Sequence, residues 1–207
     1  MSREQVVRVL DILFEQYAHE CRTDDAFRVL VSTIISQRTT DANMLVASTR
    51  LLSEHPSAQS LARADARHVE QLIAPSGMFR VKARRLIEVA RILVAEYGGG
   101  VPSTEEGLLA LPGVGRKTAN CVLAYAFGKD VVAVDTHVHR ISNRLGIVHS
   151  RSPESTEEQI RQRVPKQYWR CYNIVFVRFG QQVCKPTTPR CEGCPVESMC
   201  PSSRLRE

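Results

Sequence analysis

The hydrophobic residues recur mostly at intervals of three and four along the chain, which is the period of a helix with one buried face. Four stretches carry such an apolar stripe: residues 6–17, 27–35, 86–94 and 119–127. Only residues 131–134 have the character of a strand, and a single strand has no partner with which to form a sheet. With no internal repeat, low-complexity segment or hairpin-type alternation, the pattern predicts an all-α fold.

Glycines and capping residues mark where the predicted helices end and begin. Residues 98–100 are all glycine and end the third stripe, and Gly128 ends the fourth. Ser103 and Glu106 have the spacing of a capping box, so we expect Ser103 to cap the helix that follows.

The composition narrows the class of protein. The chain has 207 residues, of which 43% are hydrophobic, so it can bury one large core or two small ones. It has no run near the roughly 20 apolar residues of a membrane span, and its start lacks the order of a signal peptide. A membrane protein, a disordered chain and a small disulfide scaffold are therefore excluded. We expect a soluble, cytoplasmic protein that acts as a monomer.

Positive charge is concentrated in the last third of the chain. Residues 131–207 carry 12 basic and 7 acidic side chains, so 12 − 7 = +5 of the total net charge of +6 lies there. Such asymmetry favours a polyanionic partner such as nucleic acid, although basic surfaces also serve solubility alone. Only five of the 28 basic residues are lysines: Lys82, Lys117, Lys129, Lys166 and Lys185. In a chain so rich in arginine, each lysine raises the question of why arginine does not occupy its position.

Four cysteines with the spacing C-x6-C-x2-C-x5-C lie beyond the last apolar stripe: Cys184, Cys191, Cys194 and Cys200. Two disulfides are one interpretation, but the cytosol keeps thiols reduced, which favours metal binding. Structural zinc is the main rival, although zinc usually takes two short knuckles. One knuckle with two wider arms favours a [4Fe–4S] cluster held by four thiolates. The remaining cysteines, Cys21, Cys121 and Cys171, are predicted to be small core residues in helices.

The loop between the first two of these cysteines is basic. It carries Lys185 and Arg190 and contains no acidic residue. A metal-stabilised loop with two cations on it is predicted to contact DNA phosphates.

Residues 111–119, with the sequence LPGVGRKTA, join two predicted helices. Gly113 and Gly115 allow a sharp turn and close backbone approach, and amides at the start of the next helix bind phosphate oxygens. G-x-G alone is equally typical of an ordinary turn between helices. With Leu-Pro before it and Arg-Lys-Thr-Ala after it, the segment resembles the helix-hairpin-helix motif, which grips the DNA backbone. Both glycines and Arg116 are therefore predicted to bind DNA.

Lys117 falls in the first turn of the helix after this hairpin, where the helix dipole disfavours a cation by about 0.3–1 kcal/mol. This penalty lowers a pKa by less than one unit, and partial burial beside Arg116 would lower it further. A neutral amine is a nucleophile that can form a Schiff base. The simpler interpretation is that Lys117 contacts a phosphate.

Asp135 stands eighteen residues later, at the expected N-cap of a helix that ends at Gly146. A capping role alone would explain an aspartate at this position. A capping carboxylate that stays ionised would also stabilise an oxocarbenium-like sugar as a base departs. His137 and His139 are predicted to lie on the helix surface.

Hairpin, lysine, aspartate and cysteine spacing together make the chain resemble the endonuclease III family, the iron–sulfur branch of the helix-hairpin-helix DNA glycosylases. The resemblance covers nearly the whole chain, from Phe27 to Cys200. It implies two helical domains with DNA bound between them. One is a six-helix module over residues 20–130, and the other joins residues 1–19 to residues 131–207 and holds the cluster.

The resemblance also implies a bifunctional glycosylase and AP lyase of base excision repair, associated with the nucleoid. Its partner is double-stranded DNA that contains an oxidised pyrimidine or an abasic site. Lys117 is implied to attack C1′ of a flipped nucleotide and displace the base, with Asp135 as the second catalytic residue. The Schiff base then permits β-elimination, which cuts the strand.

Two positions depart from the family pattern. A glutamine of that branch fills the gap left by the flipped base, but an ungapped alignment places Arg38 there, next to Gln37. Met78, after Gly77, stands where the family has a wedge leucine. Either Gln37 or Arg38 therefore fills the gap, and the lesion or opposite-base preference differs accordingly.

Two other functions use the same motifs. A monofunctional mismatch or damaged-base glycosylase keeps the hairpin, aspartate and cluster but generally activates water instead of a lysine. A non-catalytic DNA-binding module would use the hairpin and cluster only for docking. Lys117 argues against the first, and the pairing of Lys117 with Asp135 argues against the second.

Overall fold

The computed structural model describes residues 1–18 and 21–205. Throughout this part of the chain the regular elements are helical, which confirms the predicted all-α fold. In order they are α1 (Arg3–Tyr17), α2 (Ala26–Ser36), α3 (Asp41–Glu54), α4 (Ala58–Ala62), α5 (Ala66–Leu72), α6 (Phe79–Tyr97), α7 (Glu105–Leu109), α8 (Arg116–Tyr125), α9 (Thr136–Arg144), α10 (Pro153–Arg163) and α11 (Trp169–Gln182). Short 3-10 turns occur at Ala74–Ser76, Lys166–Tyr168 and Glu197–Met199.

The apolar stripes become the buried faces of these helices. The strand-like run 131–134 forms no strand among the described residues, and its valines Val132 and Val134 are buried in a connecting segment. Within the described ranges, no helix is long and apolar enough to span a bilayer.

The chain divides into two compact units, here called central and terminal. The central unit is Thr23–Phe127 and contains α2 to α8. The terminal unit combines Met1–Arg22 with Gly128–Glu207 and contains α1 and α9 to α11. The predicted boundary between residues 19 and 20 lies outside the described residues.

In the central unit the longest helix, α6, packs against α2, α4 and α5, and α8 packs against α2 and α7. The six-helix module of the prediction has seven α-helices here. Two of them, α4 and α7, have only five residues each, which is too short to produce an apolar stripe.

The start of α7 differs from the prediction. Its N-cap is Thr104, whose hydroxyl accepts a hydrogen bond from the backbone N–H of Gly107 at 3.2 Å. Ser103 stands one residue too early for this contact. The two adjacent hydroxyl residues have the same capping chemistry, so sequence spacing alone did not distinguish them.

In the terminal unit α11 packs against both α1 and α9. Its aromatic residues Tyr172, Phe176 and Phe179 are almost completely buried. Gly180 allows the close approach of α9, because a Cβ atom at this position would lie 2.4 Å from Nδ1 of His137.

Two of the three cysteines predicted as core residues form a disulfide instead. Cys21 and Cys171 are bonded to each other, are half-buried, and have Cα atoms 5.7 Å apart. Cys171 lies on α11, but Cys21 lies in non-helical backbone. The pairing joins positions 150 residues apart, so no local pattern indicates it. Cys121 is a buried residue of α8, which confirms its prediction.

Candidate functional site

The segment between α7 and α8 is a tight turn with a buried base. Leu111 and Val114 are buried and linked by a backbone hydrogen bond of 3.1 Å. Gly113 has φ of +75°, a conformation that favours glycine, and a Cβ there would lie 2.7 Å from Cδ of Arg85 on α6. Gly115 is the N-cap of α8 and supplies no side-chain cap. The two predicted hairpin glycines therefore have distinct roles in the turn.

Lys117 is the second residue of α8 and is half-buried, as its position after the hairpin predicts. The three residues that follow it, Thr118 to Asn120, are buried. Arg116, directly before it, is exposed. The helix therefore holds the base of the Lys117 side chain firmly in place.

Gln37 and Arg38 follow directly after α2 and have different surroundings. The side-chain amide of Gln37 donates a hydrogen bond to the carbonyl oxygen of Gly113 at 3.0 Å. Arg38 is exposed, and its φ of +53° is left-handed. The structure thus joins Gln37, but not Arg38, to the hairpin.

Met78 is also exposed and left-handed, with φ of +47°, directly after Gly77 and before α6. Among the described residues, Arg38 and Met78 are the only non-glycine residues with positive φ. Such backbone is unfavourable for a residue with a Cβ and is concentrated at functional sites. The family resemblance predicts a DNA-binding role for both positions, but nothing in the sequence indicates that their backbone is strained.

Asp135 is the N-cap of α9, which confirms the predicted cap. Its Oδ1 accepts hydrogen bonds from the backbone N–H groups of His137 at 2.9 Å and Val138 at 2.8 Å. These bonds fix the orientation of a half-buried carboxylate. Asp135 belongs to the terminal unit, whereas Lys117 belongs to the central unit.

The two histidines of α9 are half-buried rather than on the helix surface as predicted. Nδ1 of His139 lies 2.6 Å from the hydroxyl of Thr156, and Nδ1 of His137 lies 3.3 Å from Nη2 of Arg140. Neighbouring helices cover them, which helical periodicity within α9 does not indicate.

The four C-terminal cysteines meet around one cavity of about 80 Å³ in the terminal unit. Its wall includes Cys184, Cys191, Cys194, Cys200, Arg144, Leu145 and Phe179. Burial raises the pKa of the Cys194 thiol, and the charges of the other three cysteines raise it further.

A zinc ion and an iron–sulfur cluster differ in how closely they hold four thiolates. Zinc bound by four thiolates at about 2.3 Å would hold the sulfurs about 3.8 Å apart. Three side chains can share one metal ion only where their ligand atoms lie close together, within about 4.8 Å of one another. The one donor group that meets this limit in the described ranges is elsewhere and consists of Glu54, His55 and His68.

Two arginines of α9, which sequence analysis missed, hold the loop that begins at Cys184. Arg144 donates from Nη1 to the carbonyl oxygen of Lys185 at 2.7 Å and approaches Sγ of Cys184 at 3.7 Å. Arg140 donates to the carbonyl oxygen of Cys184 at 3.0 Å, and burial lowers the pKa of its guanidinium. The one sequence feature that could have indicated this shared role is their spacing of four residues, which places both on one face of a helix.

The loop itself is closed by its own backbone. The carbonyl oxygen of Val183 accepts hydrogen bonds from the N–H groups of both Lys185 and Arg190, each at 2.9 Å. Arg190 is exposed and Lys185 is half-buried. The two predicted phosphate-binding cations are thus brought to the two ends of one closed loop.

Comparisons with known proteins agree on one family. The HhH-GPD superfamily base excision DNA repair protein model matches residues 31–166. Endonuclease III of Thermotoga maritima is 48% identical over 194 residues, which cover 94% of this chain and 91% of that protein.

Solved structures extend this similarity to the fold. A trapped endonuclease III–DNA covalent intermediate, an estranged-adenine complex, matches with a TM-score of 0.90 and 32% identity over 100% of this chain and 99% of that chain. A thermostable thymine-DNA glycosylase matches with a TM-score of 0.85 and 24% identity, over 98% of each chain, and so shares the fold.

Proposed function

The chain belongs to the endonuclease III family of the HhH-GPD superfamily and is a bifunctional DNA glycosylase and AP lyase of base excision repair, and from this premise we propose that Lys117 is its nucleophile. The observation that carries the proposal is the place of Lys117, half-buried in the first turn of α8 and directly after the hairpin. The substrate is double-stranded DNA with a damaged base. Oxidised pyrimidines and abasic sites are the proposed lesions.

The hairpin brings the DNA backbone to the lysine. Gly115 contributes no side-chain cap to α8, so a phosphate oxygen has room to accept hydrogen bonds from the first turn of that helix. Exposed Arg116 adds a positive charge at the same end. A phosphate held there would place the neighbouring sugar near Lys117.

The Lys117 amine then attacks C1′ of the flipped nucleotide, and the bond from C1′ to the base breaks. The attached nitrogen then loses a proton, the C1′–O4′ bond of the sugar ring opens, and O4′ takes up a proton. The product is a Schiff base at C1′ rather than the abasic sugar that attack by water would give. The imine acidifies a proton on C2′, and its removal expels the 3′ phosphate by β-elimination. One nucleophile thereby accounts for both activities.

Asp135 is the proposed second catalytic residue. Its two hydrogen bonds to backbone N–H groups stabilise a negatively charged oxygen in a fixed orientation. A carboxylate so held stabilises the positive charge that develops on the sugar while the base leaves.

We propose that the four cysteines hold a [4Fe–4S] cluster. The fit rests on the four thiols around one cavity and on their spacing in the sequence, which has one short knuckle and two wider arms. When bound, the cluster supplies four cross-links that fix the loop. Arg140 and Arg144 orient this loop from α9, and Lys185 and Arg190 are the proposed phosphate contacts on it.

Arg38 is the proposed gap-filling residue, and Met78 is the proposed wedge. Gln37 already donates its amide to the hairpin, so it supports the turn rather than entering the DNA. Arg38 and Met78 are both exposed on strained turns of the central unit.

Replacement of the nucleophile tests the proposal. In single-turnover assays on a duplex with one thymine glycol, Lys117→Gln should lower strand cleavage by about a thousandfold or more. Its affinity for the duplex should change less than about threefold, because one cation contributes little to the total. Lys129→Gln removes the same charge from an exposed lysine and should cleave normally.

The outcomes separate the alternatives. Normal cleavage by Lys117→Gln would overturn the assignment of the nucleophile. Base release without strand cleavage by the unaltered protein would indicate a monofunctional glycosylase. DNA binding with neither activity would indicate a docking module.

A further inference from the structure

The ammonium of Lys82 lies beneath the two strained turns of the central unit. Lys82 is a residue of α6 and is only 3% exposed. Its Nζ donates to the carbonyl oxygen of Ile35 at 2.8 Å and to that of Ser76 at 2.9 Å. We propose that Lys82 is a positioning residue that holds the turns of Arg38 and Met78 in the conformation that enters damaged DNA.

The two acceptors are the ends of the elements that lead into these turns. Ile35 lies in the last turn of α2, three residues before Arg38, and Ser76 ends a 3-10 turn two residues before Met78. Carbonyl groups at a helix C-terminus lack partners within the helix and carry partial negative charge. One ammonium therefore binds the ends of two segments that are about forty residues apart in the sequence.

The chemistry of this position explains a lysine in a chain whose basic residues are mostly arginine. A guanidinium is planar and broad, whereas an ammonium is compact and directs its three N–H groups tetrahedrally. Both observed partners are neutral carbonyl groups, and burial lowers the pKa of Lys82. A buried cation held in this way is costly to folding, which favours a functional reason for it.

The strain in the two turns makes such a support necessary. A residue with a Cβ keeps a left-handed backbone only where its surroundings hold it there. Arg38 and Met78 are both exposed, so their own side chains provide little of that support. The buried contacts of Lys82 fix the backbone just before each of them.

Helix α6 also reaches the hairpin. Arg85 lies one helical turn after Lys82, and its side chain fills the space beside Gly113. Gln37 joins the turn after α2 to the same glycine. The three proposed DNA-binding segments of the central unit thus share one support, α6, and Lys82 is a buried residue of it.

The test compares two buried residues of α6. Lys82→Met removes the ammonium but keeps a chain of similar length. Leu93→Ala is the control, because Leu93 is fully buried on the same helix and lies about 16 Å further along it. Thermal unfolding of both variants measures how far each substitution destabilises the fold.

The readout is discrimination between a duplex with a tetrahydrofuran abasic-site analogue and the same duplex without it. Lys82→Met should lower the ratio of the two affinities by about tenfold and should reduce the fluorescence of a 2-aminopurine beside the analogue. Affinity for the undamaged duplex should change less than about twofold, since phosphate contacts supply it. Leu93→Ala should keep the wild-type ratio even where its unfolding temperature falls further.

A wild-type ratio in Lys82→Met would overturn the proposal, and so would an equal loss in Leu93→Ala. If Lys82→Met does not fold, Lys82→Gln replaces it. A wild-type ratio of the two affinities in that variant would also overturn the proposal. The inference rests on the DNA-binding roles proposed for Arg38 and Met78. Failure of those roles would appear separately, as a wild-type protein that does not discriminate between the two duplexes.

Discussion

Gln37 and Arg38 are neighbours in the chain, but their side chains have different contacts. The Gln37 amide is engaged by the carbonyl of Gly113, a residue 76 positions away, whereas the Arg38 guanidinium is exposed. Sequence alone left both as candidates because this contact is not local. By contrast, Asp135 could be identified as an N-cap from its sequence neighbours, since a cap bonds to amides two and three residues later.

If Arg38 enters the gap, the opposite base should affect the reaction. A guanidinium in the gap faces the pairing edge of the opposite base, where guanine presents the acceptor O6 and adenine presents its amino donor, and a hydrogen bond to a charged group contributes about 1.5–3 kcal/mol. Arg38→Gln should therefore lower the rate ratio for thymine glycol opposite guanine over adenine by about fivefold or more. Gln37→Ala, which loosens the hairpin instead, should slow both substrates alike. A changed ratio in Gln37→Ala and an unchanged ratio in Arg38→Gln would reverse the two roles.

At the scale of elements, α9 connects two parts of the proposed site within the terminal unit. Asp135 caps its first turn, and Arg140 and Arg144 contact the cysteine loop from its second half. The apolar stripes could predict the long helices because burial repeats every turn. They could not predict α4, which is a single turn, and the equally short α7 was indicated only by its capping residues. Nor could they predict the half-buried histidines, which are covered by other helices.

The cysteine loop leads to a direct analytical prediction. Protein purified without oxygen should contain four iron and four acid-labile sulfide per chain, because four thiols surround one cavity with the spacing of one short knuckle and two wider arms. Cys191→Ser should lower the iron content, whereas Cys121→Ser, a buried cysteine of the central unit, should not. One zinc per chain in place of iron would contradict the cluster.

At the scale of the whole molecule, the residues with proposed roles are divided between the two units. The central unit contributes Lys117, the hairpin and the strained turns, and the terminal unit contributes Asp135 and the cysteine loop. Sequence motifs could locate these parts because each is encoded in a short segment. The disulfide between Cys21 and Cys171 and the buried contacts of Lys82 join distant segments, so only the folded chain reveals them.

The proposed reaction depends on a covalent bond between one lysine, Lys117, and the sugar of a damaged nucleotide. Borohydride reduction during reaction with a thymine glycol duplex, followed by proteolysis and mass spectrometry, identifies the residue that carries the DNA. We expect one adduct, on the peptide that contains Lys117, and none with Lys117→Gln. An adduct on another residue, or no adduct from folded and catalytically active protein, would contradict it.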